Sequence, residues 1–265
     1  MPRPVIILMT DFGLTDTYVG QMKGVILSLA PSALIIDLTH SVTPQNIVQG
    51  AFLLSKSAGF FPEGSIFISV VDPGVGTARK AIALETEHAI FLAPDNGLLT
   101  AIFQLQKIKH CIHITESRYM LPVQSSTFHG RDIFSPVAAH LASGVPIQDI
   151  GREINCDTCK KIPMPTCQTS DHGKSWEGSI IYTDNFGNLI TSLEAEQFDQ
   201  QEQWIVTTET GMKIPLLVTY SDVANQQPLA YSGSAGMIEI AVRNGNAAET
   251  FGLQNGDRVT ISRSF

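Results

Sequence analysis

Continuous apolar runs of strand length alternate, through the first half of the chain, with stretches whose apolar residues recur at helical spacing. Val5-Ile6-Ile7-Leu8-Met9 has no polar position, the pattern of a strand covered on both faces within a parallel sheet. Val19, Met22, Ile26 and Leu29 then follow helical periodicity, with Thr15 or Asp16 as the expected cap and Pro31 as the stop. Residues 34–38 read as the next strand, and Thr43-Pro44 reads as the start of a helix reaching about Ser57. Further strands are expected over 66–71, 81–85 and 89–93. A helix should follow the Pro94-Asp95-Asn96-Gly97 turn, and another, carrying Ile133, Val137 and Leu141, should end at Gly144. This alternation predicts an α/β fold with a mostly parallel sheet flanked by helices.

Periodicity is lost between Asp149 and Ser175, where Pro163, Pro165 and Gly173 punctuate a polar stretch. Beyond it come short strand-like runs, 178–182, 188–192, 204–208, 214–219, 237–242 and 258–262, separated by turns and by no clear helix. Such spacing predicts a small all-β domain, barrel-like or a sandwich. The expected organisation is therefore an N-terminal α/β domain over 1–160, a linker over 161–175 and a C-terminal β-barrel-like domain over 176–265.

Composition narrows the function classes. The chain of 265 residues carries a net charge of -8 and has no basic cluster denser than Arg79-Lys80 or Lys160-Lys161, so no nucleic-acid partner is expected. No apolar run approaches the ~20 residues that span a bilayer, and no signal-peptide pattern opens the sequence, which reads as soluble and cytoplasmic with no membrane partner. Cys156-Asp157-Thr158-Cys159 has the spacing of half a zinc site, and Cys167 with His172 would complete four ligands. Those last two spacings match no common zinc pattern, and reduced thiols in a loop are the plainer reading.

Several motifs point the wrong way. Asp11-Phe12-Gly13 and His129-Gly130-Arg131-Asp132 look like kinase loops, but they occur in the reverse order and without a glycine-rich loop ahead of them. Gly173-Lys174-Ser175 has Gln168 where a phosphate loop needs glycine, and Gly74-Val75-Gly76 has Arg79 where a dinucleotide fingerprint needs its third glycine. What remains is a set of polar residues at strand ends and loops: Asp11, Asp72, Arg79, Asp95-Asn96, His129 and the Asp184-Asn185-Phe186-Gly187-Asn188 segment. Taken singly, a strand-end aspartate is as well read as a helix cap, and a histidine before a helix as a core residue.

Taken together, the segments form a recognisable series: Met9-Thr10-Asp11-Phe12-Gly13, Val71-Asp72-Pro73-Gly74-Val75-Gly76, Ala93-Pro94-Asp95-Asn96-Gly97-Leu98-Leu99-Thr100, Thr127-Phe128-His129-Gly130-Arg131-Asp132, Asp184-Asn185-Phe186-Gly187-Asn188 and Ile240-Ala241-Val242-Arg243-Asn244-Gly245-Asn246. In this order they resemble the S-adenosylmethionine hydroxide adenosyltransferase family, the S-adenosylmethionine hydrolases related to adenosyl-chloride and adenosyl-fluoride synthases. The resemblance implies hydrolysis of S-adenosyl-L-methionine to adenosine and methionine by water attacking ribose C5'. It implies a catalytic set of Asp72, Arg79 and His129, with no metal or redox cofactor. The fluoride enzymes carry tyrosine in place of Asp72 and of His129 and serine in place of Gly130, so the water-using version stands at each position here.

The resemblance also places Asp11 on the ribose hydroxyls, Asp184 on the methionine ammonium, Ser234 near its carboxylate and Asn188 at the adenine edge, with Phe128 or Phe186 stacking on the base. It implies a homotrimer whose sites lie between the N-terminal domain of one subunit and the C-terminal domain of the next. Which group accepts the proton stays open between Asp72 and His129. The alternatives are a chloride-using adenosyltransferase and a non-catalytic module that binds S-adenosylmethionine or adenosine.

Overall fold

The computed structural model describes residues 3–122, 125–170, 174–199 and 202–264, and the chain divides into two units, Met1–Met164 and Pro165–Phe265. The first contains β1 (Val5–Thr10), α1 (Tyr18–Leu29), β2 (Leu34–Thr39), α2 (Ile47–Ser57), β3 (Ser65–Val70), β4 (Ala81–Thr86), β5 (Ala89–Pro94), α3 (Thr100–Leu105), β6 (Ile108–Ile114), α4 (Ser135–Ala142) and β7 (Gly151–Glu153). Its seven strands are ordered β2-β1-β3-β5-β4-β6-β7. Strands β2, β1, β3 and β5 pair in parallel. β4 runs against both β5 and β6, so β6 points with the parallel set and only β4 and β7 are reversed. The reversal at β4 follows from its connection to β5, since two intervening residues, Glu87 and His88, can close only an antiparallel hairpin.

The unbroken apolar character of β1 is explained by burial on both faces. Ile6 and Leu8 pack on one side with Met22, Ile26, Phe134 and Val137 of the α1 and α4 layer. Ile7 and Met9 pack on the other with Phe67 of β3 and with Leu54 and Ile102 of the α2 and α3 layer. Three local expectations need correction. α1 starts after Thr17, whose hydroxyl takes a bond from Gln21 Nε2 at 2.8 Å, and neither Thr15 nor Asp16 is its cap. α2 starts at Ile47, capped by Asn46 Oδ1 accepting from Gln49 N at 3.0 Å. Thr43 N donates to Gln49 Oε1 at 2.9 Å and Gln45 has a φ of 66, so residues 43–45 form a fixed turn before that helix. Finally, the helix expected from residue 133 begins with a wide π-type turn, Gly130–Phe134, that leads into α4.

The second unit contains β8 (Gln168–Ser170), β9 (Ser175–Thr183), β10 (Leu189–Glu194), β11 (Trp204–Thr208), β12 (Lys213–Pro215), β13 (Pro228–Ser232), β14 (Met237–Val242), α5 (Ala247–Phe251) and β15 (Arg258–Arg263). Its order is β12-β11-β15-β9-β10-β14-β13, with β8 also on β9. Every pairing between these strands is antiparallel. The two ends of the series meet where Leu216 bridges Ala230 and Leu217 N donates to Ala230 O at 2.8 Å, so the sheet nearly closes into a barrel. Trp176, Phe198 and Trp204 pack edge to face in its core at 5.3 to 5.4 Å. The strand expected over 214–219 is cut short at Pro215, and β13 and the short α5 were not legible as a strand and a helix.

At the carboxyl edge of the first sheet, Asn96 locks two strand ends together. Its Nδ2 donates to Val71 O at 2.8 Å, its Oδ1 accepts from Leu98 N at 3.1 Å, and the residue is buried. The strap after β7 holds this turn from the other side, with Lys160 N on Asp95 Oδ1 at 2.7 Å and Ile162 N on Thr100 Oγ1 at 3.0 Å. Replacing Asn96 by alanine should leave the Val71 carbonyl unpaired, lowering stability in urea unfolding by about 1–3 kcal/mol.

Candidate active site

β3 delivers Val71 and Asp72 to a turn that its own sequence closes. Val75 N returns to Asp72 O at 3.3 Å, and Thr77 Oγ1 donates to Gly74 O at 2.7 Å. Gly76 has a φ of +79, and a Cβ there would lie 2.4 Å from the Ser126 carbonyl oxygen, so only glycine fits. The turn folds Arg79 back over Asp72. Arg79 Nε donates to Asp72 Oδ2 at 2.9 Å, and Nη2 donates to the same oxygen. Nη2 also donates to His129 Nδ1 at 2.7 Å, which links the three residues into one chain.

Two consequences follow from this geometry. Asp72 Oδ1 is buried and has no hydrogen-bond partner among the described residues. His129 Nδ1, as an acceptor, must be unprotonated, so the imidazole is neutral with its hydrogen on Nε2. Burial and the neighbouring Arg79 charge hold His129 below its ordinary value, against the opposite pull of Asp72 and Asp132. Both members of the Asp72–Arg79 pair are buried, with side-chain exposures of 4% and 8%.

Asp11 leaves the same edge of the sheet, since Thr10 lies opposite Val70 in the β1–β3 register. The Asp11 turn is fixed from below. Thr10 Oγ1 pairs with the buried His40 Nδ1 at 2.8 Å, Gly13 N donates to His40 O at 2.8 Å, and Gln45 N donates to Asp11 Oδ2 at 2.8 Å. Phe128 is 8% exposed, edge to face with Phe12 and Tyr18, and the Arg131 guanidinium lies over its ring at 4.9 Å. A cavity of about 450 Å³ lined by Phe12, Tyr18, Gln21, Thr127, Phe128 and Arg131 opens beside it.

In the second unit the β9–β10 connection is tied by its own aspartate. Asp184 Oδ1 accepts from Phe186 N and Asn188 N, each at 2.8 Å, and Oδ2 accepts from Asn188 Nδ2 at 2.9 Å. Gly187 has a φ of +84, with Asn246 Oδ1 where a Cβ would stand. The loop so held leaves Phe186 76% exposed and buries Asn188. Both line a cavity of about 430 Å³ with Tyr220, Val242, Arg243 and Gly245. Ser234 is exposed in the turn between β13 and β14 and does not line this cavity. Tyr220 carried no signal in the sequence, and Arg243 was visible only as part of a matching segment.

Among the described residues no group of three or more His, Cys, Asp and Glu side chains is placed to hold a metal ion. Cys156 and Cys159 belong to the first unit and Cys167 to the second, while His172 lies outside the described residues. Cys159 instead meets Cys111, Sγ to Sγ at 3.6 Å.

Residues 6–151 match the family model of the SAM hydroxide adenosyltransferase N-terminal domain, and residues 178–260 match that of the C-terminal domain. The chain belongs to the SAM hydroxide adenosyltransferase family. A Thermus thermophilus protein named (R)-S-adenosyl-L-methionine hydrolase is 36% identical over 98% of this chain and 99% of its own length. A relative from Actinoplanes sp. named fluorinase is more distant, 28% identical over 99% of this chain and 98% of its own. A solved structure of an uncharacterized conserved protein from Thermotoga maritima superposes with a TM-score of 0.91 at 34% identity, covering 97% of this chain and 100% of that one.

The ion pair should behave as a buried one. Arg79→Met leaves the Asp72 charge uncompensated and should lower stability at neutral pH by about 3–5 kcal/mol, measured by chemical denaturation. Adding Asp72→Asn removes that charge, so the double variant should recover more than half of the loss.

Proposed function

We propose that this protein hydrolyses S-adenosyl-L-methionine to adenosine and L-methionine, water attacking ribose C5'. The observation that carries this reading is the unpartnered Asp72 Oδ1 beside a neutral His129 and a guanidinium. A water molecule there can donate to Oδ1 while accepting from a neighbouring nitrogen donor. The sulfonium is already a good leaving group and departs as a neutral thioether, so the demand falls on the nucleophile. Orientation and a fixed acceptor meet that demand.

His129 Nδ1 is committed to Arg79, so on this reading Nε2–H positions the water and Asp72 takes its proton. The attacking oxygen forms the bond to C5' as the C5'–sulfur bond breaks, with the electron pair leaving on sulfur. The proton passes to Asp72 and then to solvent. Arg79 offsets the negative charge of the carboxylate and of developing hydroxide. Asp11, with Oδ2 already anchored by Gln45, is assigned to the ribose hydroxyls.

The barrel cavity is assigned to the base. Phe186 is the exposed ring and the stronger candidate for stacking, since Arg131 covers a face of Phe128. Asn188 gives one amide hydrogen to Asp184 and keeps the other hydrogen and Oδ1 for the adenine edge. Asp184 and Ser234 are assigned to the ammonium and carboxylate of methionine on resemblance alone. The same reading includes a cytoplasmic homotrimer that needs no cofactor, and a sedimentation mass of one subunit would overturn the trimer.

Chromatography of the purified protein with S-adenosyl-L-methionine should show adenosine and methionine in equal amounts. Asp72→Asn should lower single-turnover hydrolysis by roughly 10²–10⁴-fold, and full turnover in that variant would sink the proton-acceptor role. Since burial and Arg79 hold His129 below its ordinary value of 6.5 and the neutral form is competent, the midpoint of the acid limb of kcat/KM should lie below pH 6.5, and a midpoint above it would contradict the assignment.

A further inference from the structure

Glu239 is 8% exposed in the wall of the barrel, and no step above uses it. It stands on β14 opposite Tyr231 of β13 and Ile190 of β10, in a strand otherwise made of Met237, Ile238, Ile240, Ala241 and Val242. A carboxylate among such neighbours is costly unless it is hydrogen-bonded. Tyr231 Oη donates to Glu239 Oε2 at 2.5 Å, and Tyr220 Oη donates to Tyr231 Oη at 2.8 Å, with the two rings 5.0 Å apart. Gly233 is fitted against the same group, for a Cβ there would fall 1.9 Å from Glu239 Oε1.

The relay has one polarity. Tyr231 has one hydroxyl hydrogen and gives it to Glu239 Oε2, so toward Tyr220 it can act only as the acceptor. Burial raises Tyr231 above the ordinary phenol value, and its bond to Glu239 raises it further, so this hydrogen stays in place at neutral pH.

At the outer end, Tyr220 sits in a short 3₁₀ turn, Tyr220–Asp222, whose backbone is pinned by Thr219 N donating to Asp222 Oδ2 at 2.9 Å. Tyr220 is 37% exposed and shares the cavity with Phe186, Asn188 and Arg243. A ring on such a loop is costly to order when a ligand arrives, and a relay that orders it beforehand removes that cost.

We propose that Glu239 is a positioning residue which, through Tyr231, holds Tyr220 as a fixed wall of the barrel cavity and so sets affinity for the flat base of the ligand without touching it. This rests on the reading of that cavity as the base site. Tyr220→Phe removes only the outermost link. It should raise KM for S-adenosyl-L-methionine and the calorimetric Kd for adenosine together by roughly ten-fold, with kcat within about two-fold and Tm unchanged. Tyr231→Phe should give the same shift, the double variant no more, and Glu239→Gln, which keeps an acceptor, should stay near wild type while Glu239→Leu matches Tyr231→Phe.

If Tyr220→Phe and Tyr231→Phe keep both constants within about two-fold of wild type, the relay is only a cross-strand brace and the proposal is overturned. A wild-type protein that forms no adenosine yet binds it overturns the hydrolase reading alone, since adenosine affinity still reports on the relay. One that neither forms adenosine nor binds it overturns both.

Discussion

The Asp72–Arg79 ion pair is the constraint around which the first unit is arranged. Two charges buried this far must be brought together by the backbone, because neither can wait for a partner without a cost of several kcal/mol. The eight residues from Asp72 to Arg79 achieve this with a proline that ends strand pairing and a glycine, Gly76, that admits the Ser126 carbonyl. Neighbouring segments then fix that turn. Asn96 holds the Val71 carbonyl, the strap at Lys160 holds Asp95, and the segment carrying Ser126 leads directly to His129.

Much of this architecture was legible in the sequence because strands buried on both faces leave an unmistakable pattern. β1 is continuous apolar sequence and is a strand with both faces covered, and β11 and β14 have the limits their periodicity implied. β6 was missed. Lys109, His110 and His113 break its apolar character because only the small β7 lies beyond it at that end of the sheet. α2 was placed too early because the cap and proline at 43–44 look the same in sequence whether they start a helix or a turn, and only Gln45 at positive φ decides between them.

The site was legible as residue types and only partly as relations. Asp72 and Arg79 are close in sequence, but their link to His129 spans 50 positions and depends on the β3 edge meeting the turn before α4. Asp184 reads in sequence as a ligand group, whereas all of its recorded hydrogen bonds go to its own loop. That does not remove it from binding, because the loop it ties is what exposes Phe186 and buries Asn188. Tyr220, Tyr231 and Glu239 could not be read at all. A glutamate inside an apolar run looks like the solvent face of a strand until the cross-strand partner is known.

The way in which Arg79 meets Asp72 determines what the pair can do. A guanidinium commonly engages a carboxylate with two parallel bonds, one to each oxygen, and such a fork would satisfy Asp72 and leave it inert. Here Nε and Nη2 both converge on Oδ2, and Nη2 is shared with His129 Nδ1. The histidine therefore turns the guanidinium away from Oδ1, and the turn through Gly76 keeps it from sliding back. One oxygen carries the structural ion pair and the other remains a buried acceptor beside a cation, and it is this free oxygen that the proposed mechanism uses to take a proton from water.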